Sequence, residues 1–179
     1  MGVDTANATL RARKLRLMAF DVDGVMTDGS IYYTDSGSEL KAFNALDGAG
    51  LKMLEKAGIT VAVITGRRAA CVEVRARNLG LDRLYQGVHD KVECLRGLLA
   101  ELGLDADAAG YMGDDVMDLA VMALCGFSAA PLNAHDAVLQ RAALVTRKEG
   151  GRGAVREVCD FILAAQGRLD DAIAPWLPQ

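Results

Sequence analysis

Leu15-Arg16-Leu17-Met18-Ala19-Phe20-Asp21-Val22-Asp23-Gly24 is the stretch on which the reading of this chain turns. A short apolar run that stops abruptly in Asp-Val-Asp-Gly reads as a strand buried on both faces, delivering carboxylates at its C-terminal end. The pattern recurs. Ile59–Ile64 is β-branched and continuous and ends in Thr65-Gly66-Arg67, and Gly110-Tyr111-Met112 breaks at Gly113-Asp114-Asp115. Weaker strand signals lie at Leu84-Tyr85, Phe127-Ser128-Ala129 and Leu144-Val145. Helical spacing fills the intervals. Asp47–Ala57 closes at Gly58, Ala69–Leu79 stops at Gly80, and Lys91–Leu102 follows. Further helices carry Met117, Ala120 and Val121, span Ala134–Arg141, and run from Ala154 to Gln166. This alternation predicts an α/β fold with a doubly wound, mostly parallel sheet. Ile31-Tyr32-Tyr33 and Leu40-Lys41-Ala42-Phe43 flank Thr34-Asp35-Ser36-Gly37, which predicts a small β-hairpin. Residues 1–14 read as a polar N-terminal arm and 15–179 as a single domain.

Composition sets the outer limits. With 179 residues, 51% of them apolar, the chain can bury a core without staples. Lys and Arg total 20 against 24 Asp and Glu, a formal charge of −4, so there is no basic field for nucleic acid or an anionic membrane. Cys71, Cys94, Cys125 and Cys159 are scattered among apolar neighbours without metal-ligand spacing, as expected of buried thiols in a reducing compartment. The opening residues MGVDTANATLRARK lack the apolar run of a secretory signal, and no segment approaches the ~18 apolar residues of a membrane span. A cytoplasmic protein is expected.

In open parallel sheets, ligands bind at the carboxyl ends of the strands. Asp21, Thr65, Lys91 and Asp114 all fall just beyond a predicted strand. Asp21 and Asp23, separated by one residue at an extended strand end, point the same way. Two such carboxylates do not both ionise cheaply unless a cation sits between them. One then serves as nucleophile and the other as general acid and base. Asp114 adds a third oxygen, and hard oxygen donors without His or Cys favour Mg²⁺ over zinc. Lys91 can neutralise the nucleophile and a transferred phosphoryl group, and Thr65 can donate to a phosphoryl oxygen.

Asp21-Val22-Asp23-Gly24-Val25, Ile64-Thr65-Gly66-Arg67, Lys91 and Gly113-Asp114-Asp115-Val116-Met117-Asp118, in this order, resemble the four motifs of the haloacid dehalogenase superfamily of phosphohydrolases. The resemblance implies a Rossmann-like core in which Asp21 forms an aspartyl-phosphate. In that scheme Asp23 protonates the leaving oxygen and then activates water. Mg²⁺ is held by Asp21, the Asp23 main-chain carbonyl and Asp114. Asp115 lies behind the metal or touches substrate, and Asp118, one helical turn on, fits that motif or equally a solvated acid in the first turn of a helix.

A closer resemblance spans nearly the whole chain after residue 14. DVDGVMTDG (21–29), FNALDG (43–48), LYQG (84–87) and GGRGAVREVCD (150–160) are similar to the 3-deoxy-D-manno-octulosonate 8-phosphate phosphatase family, which acts in lipopolysaccharide precursor synthesis. That resemblance places substrate contacts at Asp23, Asn44, Ala45, Leu46, Asp47, Gly48, Lys52, Arg67, Arg75, Lys91 and Asp115. A small phosphorylated sugar acid carries two anionic groups that Arg and Lys neutralise. Ala120 departs from the proline expected in the fourth motif. Asp47 also reads as the N-cap of its own helix. Gly151-Arg152-Gly153 suits either a helix-starting turn or an anion site reaching a neighbouring subunit. A phosphatase for a nine-carbon sialic-type acid phosphate is the nearest alternative. A phospho-acceptor signalling receiver is the remote one, disfavoured by the DxD spacing.

Length adds a last expectation. Residues 24–64 hold only a hairpin and a helix, and 92–113 only a helix and a strand, so neither interval accommodates a cap domain. Water exclusion then has to come from elsewhere. A homotetramer is expected, with the 31–43 hairpin of one subunit and the C-terminal segment of another covering each shared site.

Overall fold

The computed structural model describes residues 5–178. In chain order these form α1 (Thr5–Ala12), β1 (Leu17–Phe20), β2 (Tyr32–Tyr33), β3 (Glu39–Leu40), α2 (Ala45–Lys56), β4 (Thr60–Thr65), α3 (Ala70–Leu79), β5 (Leu84–Gln86) and α4 (Lys91–Leu102). They continue with β6 (Ala109–Met112), α5 (Leu119–Leu124), β7 (Phe127–Ala130), α6 (Asp136–Leu139), β8 (Leu144–Val145), α7 (Ala154–Ala165) and α8 (Leu169–Ile173). Six strands pair in the order β5-β4-β1-β6-β7-β8, every pair parallel, and β2 and β3 form a separate antiparallel hairpin.

Alternation along the central strands divides the core into two layers. On β1, Met18 and Phe20 join Val61 and Val63 of β4 in the layer covered by α1, α2, α3 and α7. Leu17 and Ala19 join Ala62 and Ile64 in the opposite layer, under Leu95, Leu98 and Leu99 of α4, Val121 and Met122 of α5 and Val138 of α6. Such a strand is apolar at every position, which is why the continuous runs in the sequence marked the sheet correctly. With β1 flanked by β4 and β6, the chain order reverses beside its C-terminal end, where such sheets open a crevice.

Three local expectations need correcting. Residues 5–12 of the predicted arm form α1, with Ala8 and Ala12 buried against α7; two alanines four residues apart supply a small apolar face that polar neighbours conceal. Residues 1–4 lie outside the described part. The helix expected around Met117 begins only at Leu119, after a 3₁₀ turn over Val116–Asp118 that leaves Met117 exposed. Asp47 does not cap its own helix. Asn44 does, its Oδ1 accepting from the amides of Leu46 (2.8 Å) and Asp47 (3.4 Å), because α2 starts earlier than the sequence suggested.

Asp47 is instead buried and reaches across to α7, accepting from the amides of Arg156 (2.8 Å) and Gly153 (3.4 Å). The residue preceding α7 is Gly153, which has no side chain to cap it, so the carboxylate from α2 satisfies orphan donors there. This link fixes the 150–153 turn against the β1 loop. The Gly151 amide donates to the Val25 carbonyl (3.0 Å), and a Cβ on Gly150 would lie 1.8 Å from the Gly24 carbonyl oxygen. Asp47→Ala is expected to lower unfolding free energy by about 1–2 kcal/mol, the scale of a lost helix cap. A shift of the urea midpoint checks it, and an unchanged midpoint would contradict the assignment.

Candidate active site

The strand β1 ends at Phe20, and Asp21 to Gly29 follow as a turn in which the Val22 carbonyl accepts from the amides of Met26 (2.9 Å) and Thr27 (3.0 Å). Asp21 and Asp23 therefore do not share an extended strand end as the sequence suggested, and each carboxylate has its own lysine. Asp21 accepts from Lys91 Nζ at 2.6 Å and from the Val22 amide at 2.7 Å. Asp23 is paired with Lys41, a residue of the hairpin that sequence reasoning passed over.

Lys91 opens α4, and its buried ammonium also donates to Asp118 at 2.7 Å while lying 5.8 Å from the centre of the Tyr111 ring. Asp118 is the main correction to the site. Rather than a solvated acid, it is 1% exposed and fully engaged. Its Oδ1 accepts from Lys91 and the Tyr111 hydroxyl, and its Oδ2 from the amides of Asp114 (3.1 Å) and Asp115 (3.3 Å). It thereby shapes the 113–115 loop at the end of β6. A first-turn acid looks the same in sequence whether it faces water or a buried lysine. Asp115 caps the following turn through the Val116 amide (2.7 Å).

Asp21, Asp114 and Asp118 each place a carboxylate oxygen within 4.8 Å of the others. Burial raises the Asp21 carboxyl to about 6, with Lys91 pulling down and Asp118 pushing up. Burial raises Asp114 to about 7, helped by the charges of Asp21, Asp118 and Asp115. One lysine does not neutralise three acids, and this donor set fits a hard divalent cation. Asp118 is saturated by four donors, which leaves Asp21 and Asp114 as the side chains that would hold the ion. The backbone is built for close approach, since a Cβ on Gly24, where φ is +82°, would fall 2.0 Å from Asp114 Oδ2.

Thr65 is buried at the end of β4, its Oγ1 accepting from the Arg67 amide at 3.5 Å. Arg67 is partly exposed, held by Glu39 (2.9 Å) and the Tyr33 hydroxyl (3.1 Å), with its Nε 3.7 Å from Asp23. Arg75 donates to the Asn44 carbonyl at 3.0 Å, lies 5.8 Å from the centre of the Phe43 ring and crowds Gly48. Ala45, Leu46 and Lys52 are exposed on α2. Arg152 is two-thirds exposed and pairs with Asp28 at 3.4 Å. Thus Asp21, Asp23, Thr65, Arg67, Lys91 and Asp114 surround one strand-end crevice. Asp47 is committed to α7.

Residues 83–158 match the haloacid dehalogenase-like hydrolases. The 3-deoxy-D-manno-octulosonate 8-phosphate phosphatase of Yersinia pestis is 52% identical over 162 residues, 90% of this chain and 87% of that protein. The Escherichia coli K12 enzyme of the same name is 47% identical over 171 residues, 96% of this chain and 91% of its own. A crystal structure of the Moraxella catarrhalis phosphatase, in complex with a magnesium ion, a phosphate ion and a KDO molecule, superposes with a TM-score of 0.93 at 41% identity, covering 95% of this chain and 98% of that one. Similarity at this level over almost the full length of both partners makes this chain a member of the 3-deoxy-D-manno-octulosonate 8-phosphate phosphatase family, within the haloacid dehalogenase-like hydrolases.

Proposed function

We propose that the protein is a Mg²⁺-dependent phosphomonoesterase that releases phosphate from 3-deoxy-D-manno-octulosonate 8-phosphate, a step in lipopolysaccharide precursor synthesis. The carrying observation is the charge arrangement around Asp21: three buried or half-buried acids, one lysine, and donors suited to a hard cation. Mg²⁺ held by Asp21, Asp114 and the Asp23 main-chain carbonyl supplies the positive charge that offsets the phosphoryl oxygens and the acids around them.

The chain's own groups then divide the work. Lys91 keeps Asp21 ionised and aimed, so that its carboxylate attacks phosphorus while the bond to the sugar oxygen breaks. Asp23 gives its proton to the departing sugar oxygen, then takes one from the water that attacks the aspartyl-phosphate. That second step restores Asp21 and frees inorganic phosphate. Thr65 donates to a phosphoryl oxygen. Arg67 and Arg75, with Lys52, Asp115, Asn44, Ala45, Leu46 and Gly48, read the sugar acid, while Asp47 holds that segment to α7; Arg67 exchanges Glu39 for an anionic group of the substrate.

The assembly follows from what the fold leaves uncovered. Between β1 and α2 the described regular structure is only the hairpin, whose Ile31, Tyr32, Tyr33 and Leu40 are 42%, 51%, 63% and 54% exposed. Trp176 and Leu177 near the other end are 69% and 58% exposed. Apolar groups on this scale support burial between copies, and we assign a homotetramer in which neighbouring subunits complete each site. No described helix is long and apolar enough to cross a membrane, and a cytoplasmic location suits a sugar-phosphate substrate.

The test is phosphate release from a panel of sugar phosphates, including nine-carbon acid phosphates, with Mg²⁺ and with chelator. Octulosonate 8-phosphate is expected to give the highest kcat/KM and chelation to abolish turnover; a better nine-carbon substrate would overturn the assignment. Asp21→Asn is expected to lower kcat at least about a thousandfold, and near-normal turnover would exclude the covalent route. Size-exclusion chromatography with light scattering is expected to find a tetramer, an outcome contradicted by a fully active monomer.

The raised carboxyls give a stability prediction. Asp21 and Asp114 hold protons in the folded state up to about 6 and about 7, against 3.8 when unfolded. Their contribution to the metal-free fold is therefore present at low pH and lost as pH rises through that window. A cation removes the penalty where both acids are ionised. Added Mg²⁺ should raise Tm more at about pH 8 than at about pH 5.5, read by differential scanning fluorimetry. Equal shifts at both pH values would contradict the assignment.

A further inference from the structure

Like Lys91, Lys41 is an enclosed lysine held by two acids, but it is not among the cations assigned to the substrate. Its side chain is 1% exposed, whereas Arg67, beside it, is 43% exposed. A buried ammonium is costly unless carboxylates surround it, and Lys41 has two: it donates to Asp23 Oδ1 and lies 2.6 Å from Glu39 Oε1. Glu39 in turn holds Arg67 through its other oxygen at 2.9 Å. Two acids and two bases thus form a closed set carried by the hairpin, the β1 loop and the segment after β4. The two oxygens of Asp23 are not equivalent within it. Oδ1 is taken by Lys41, while Oδ2 is buried and has no hydrogen-bond partner among the described residues, the Arg67 Nε lying 3.7 Å away.

We infer that Lys41 is a positioning residue for Asp23: by holding Oδ1 it fixes the rotation of the carboxyl, so that Oδ2 is the oxygen that transfers protons. This rests on the reading of Asp23 as general acid and base given above. In the first half-reaction the proton on Oδ2 passes to the sugar oxygen as its bond to phosphorus breaks. In the second, Oδ2 takes a proton from the water whose oxygen bonds to phosphorus. Lys41 is taken up by Asp23 and Glu39, so it acts through Asp23. The hairpin therefore builds part of the catalytic geometry and is more than a cover.

The test compares steady-state kinetics of wild type, Lys41→Met and Lys41→Ala on octulosonate 8-phosphate with Mg²⁺, alongside thermal unfolding. Lys41→Met is expected to lower kcat by about 10- to 100-fold, part of what general acid–base catalysis supplies, with KM changed less than about threefold. Lys41→Ala should regain activity with added ethylammonium, which fits the vacated space, and not with tetramethylammonium at equal ionic strength. A purely structural lysine would not give that selective rescue. If Lys41→Met does not fold, Lys41→Gln, which keeps a donor and fills much of the space, supplies the same kcat and KM comparison. A kcat within about twofold of wild type, or a raised KM at unchanged kcat, overturns the inference. Failure of the wild type to hydrolyse the substrate overturns the functional reading instead.

Discussion

One ammonium group organises the crevice at the end of β1. Lys91, buried at the first residue of α4, holds Asp21 on one side and Asp118 on the other. Through Asp118 the same group reaches the amides of Asp114 and Asp115 and the hydroxyl of Tyr111, so the ends of β1 and β6 are fixed to the start of α4 by one chain of charge-assisted bonds. The arrangement is short of positive charge. Burial raises Asp21 and Asp114 to about 6 and about 7, and a divalent cation would offset both carboxylates. Glycine permits the crowding: at position 113 a Cβ would lie 2.4 Å from that of Asp118.

A second charge system, built on the hairpin, serves the neighbouring acid. Two carboxylates separated by one residue need distinct environments if one is to stay a nucleophile and the other is to move protons. Here Asp21 faces inward to Lys91, and Asp23 faces the Lys41–Glu39–Arg67 set. The hairpin that supplies Lys41 and Glu39 has only two residues in each strand, too little to hold its position by backbone pairing alone. Its ionic contacts with the β1 loop and with Arg67 anchor it.

Much of this was legible in the sequence. The apolar runs ending at Phe20, Ile64 and Met112 marked β1, β4 and β6, and the residues just beyond them marked the crevice, because a strand covered on both faces leaves no polar position in its run. The order of the four motifs carried the family. What escaped was the set of partners that depend on distant segments. Lys41 sits in a short hairpin, and nothing in its neighbours signals that it folds onto Asp23. Asp118 has the pattern of an exposed first-turn acid. Asp47 looked like a local cap and serves a helix that begins at residue 154. Each is an ionisable residue whose role is set by what packs against it, and local spacing does not encode that.

The central claim is that Asp21, held between Lys91 and a cation, takes the phosphoryl group itself. Rapid acid quench of a single turnover with substrate labelled at phosphorus, followed by peptide mapping, measures this directly. The account predicts transient label on the peptide containing Asp21 and none in an Asp21→Asn variant. Label on another peptide, or turnover with no protein-bound phosphoryl at any time in the reaction, would contradict it.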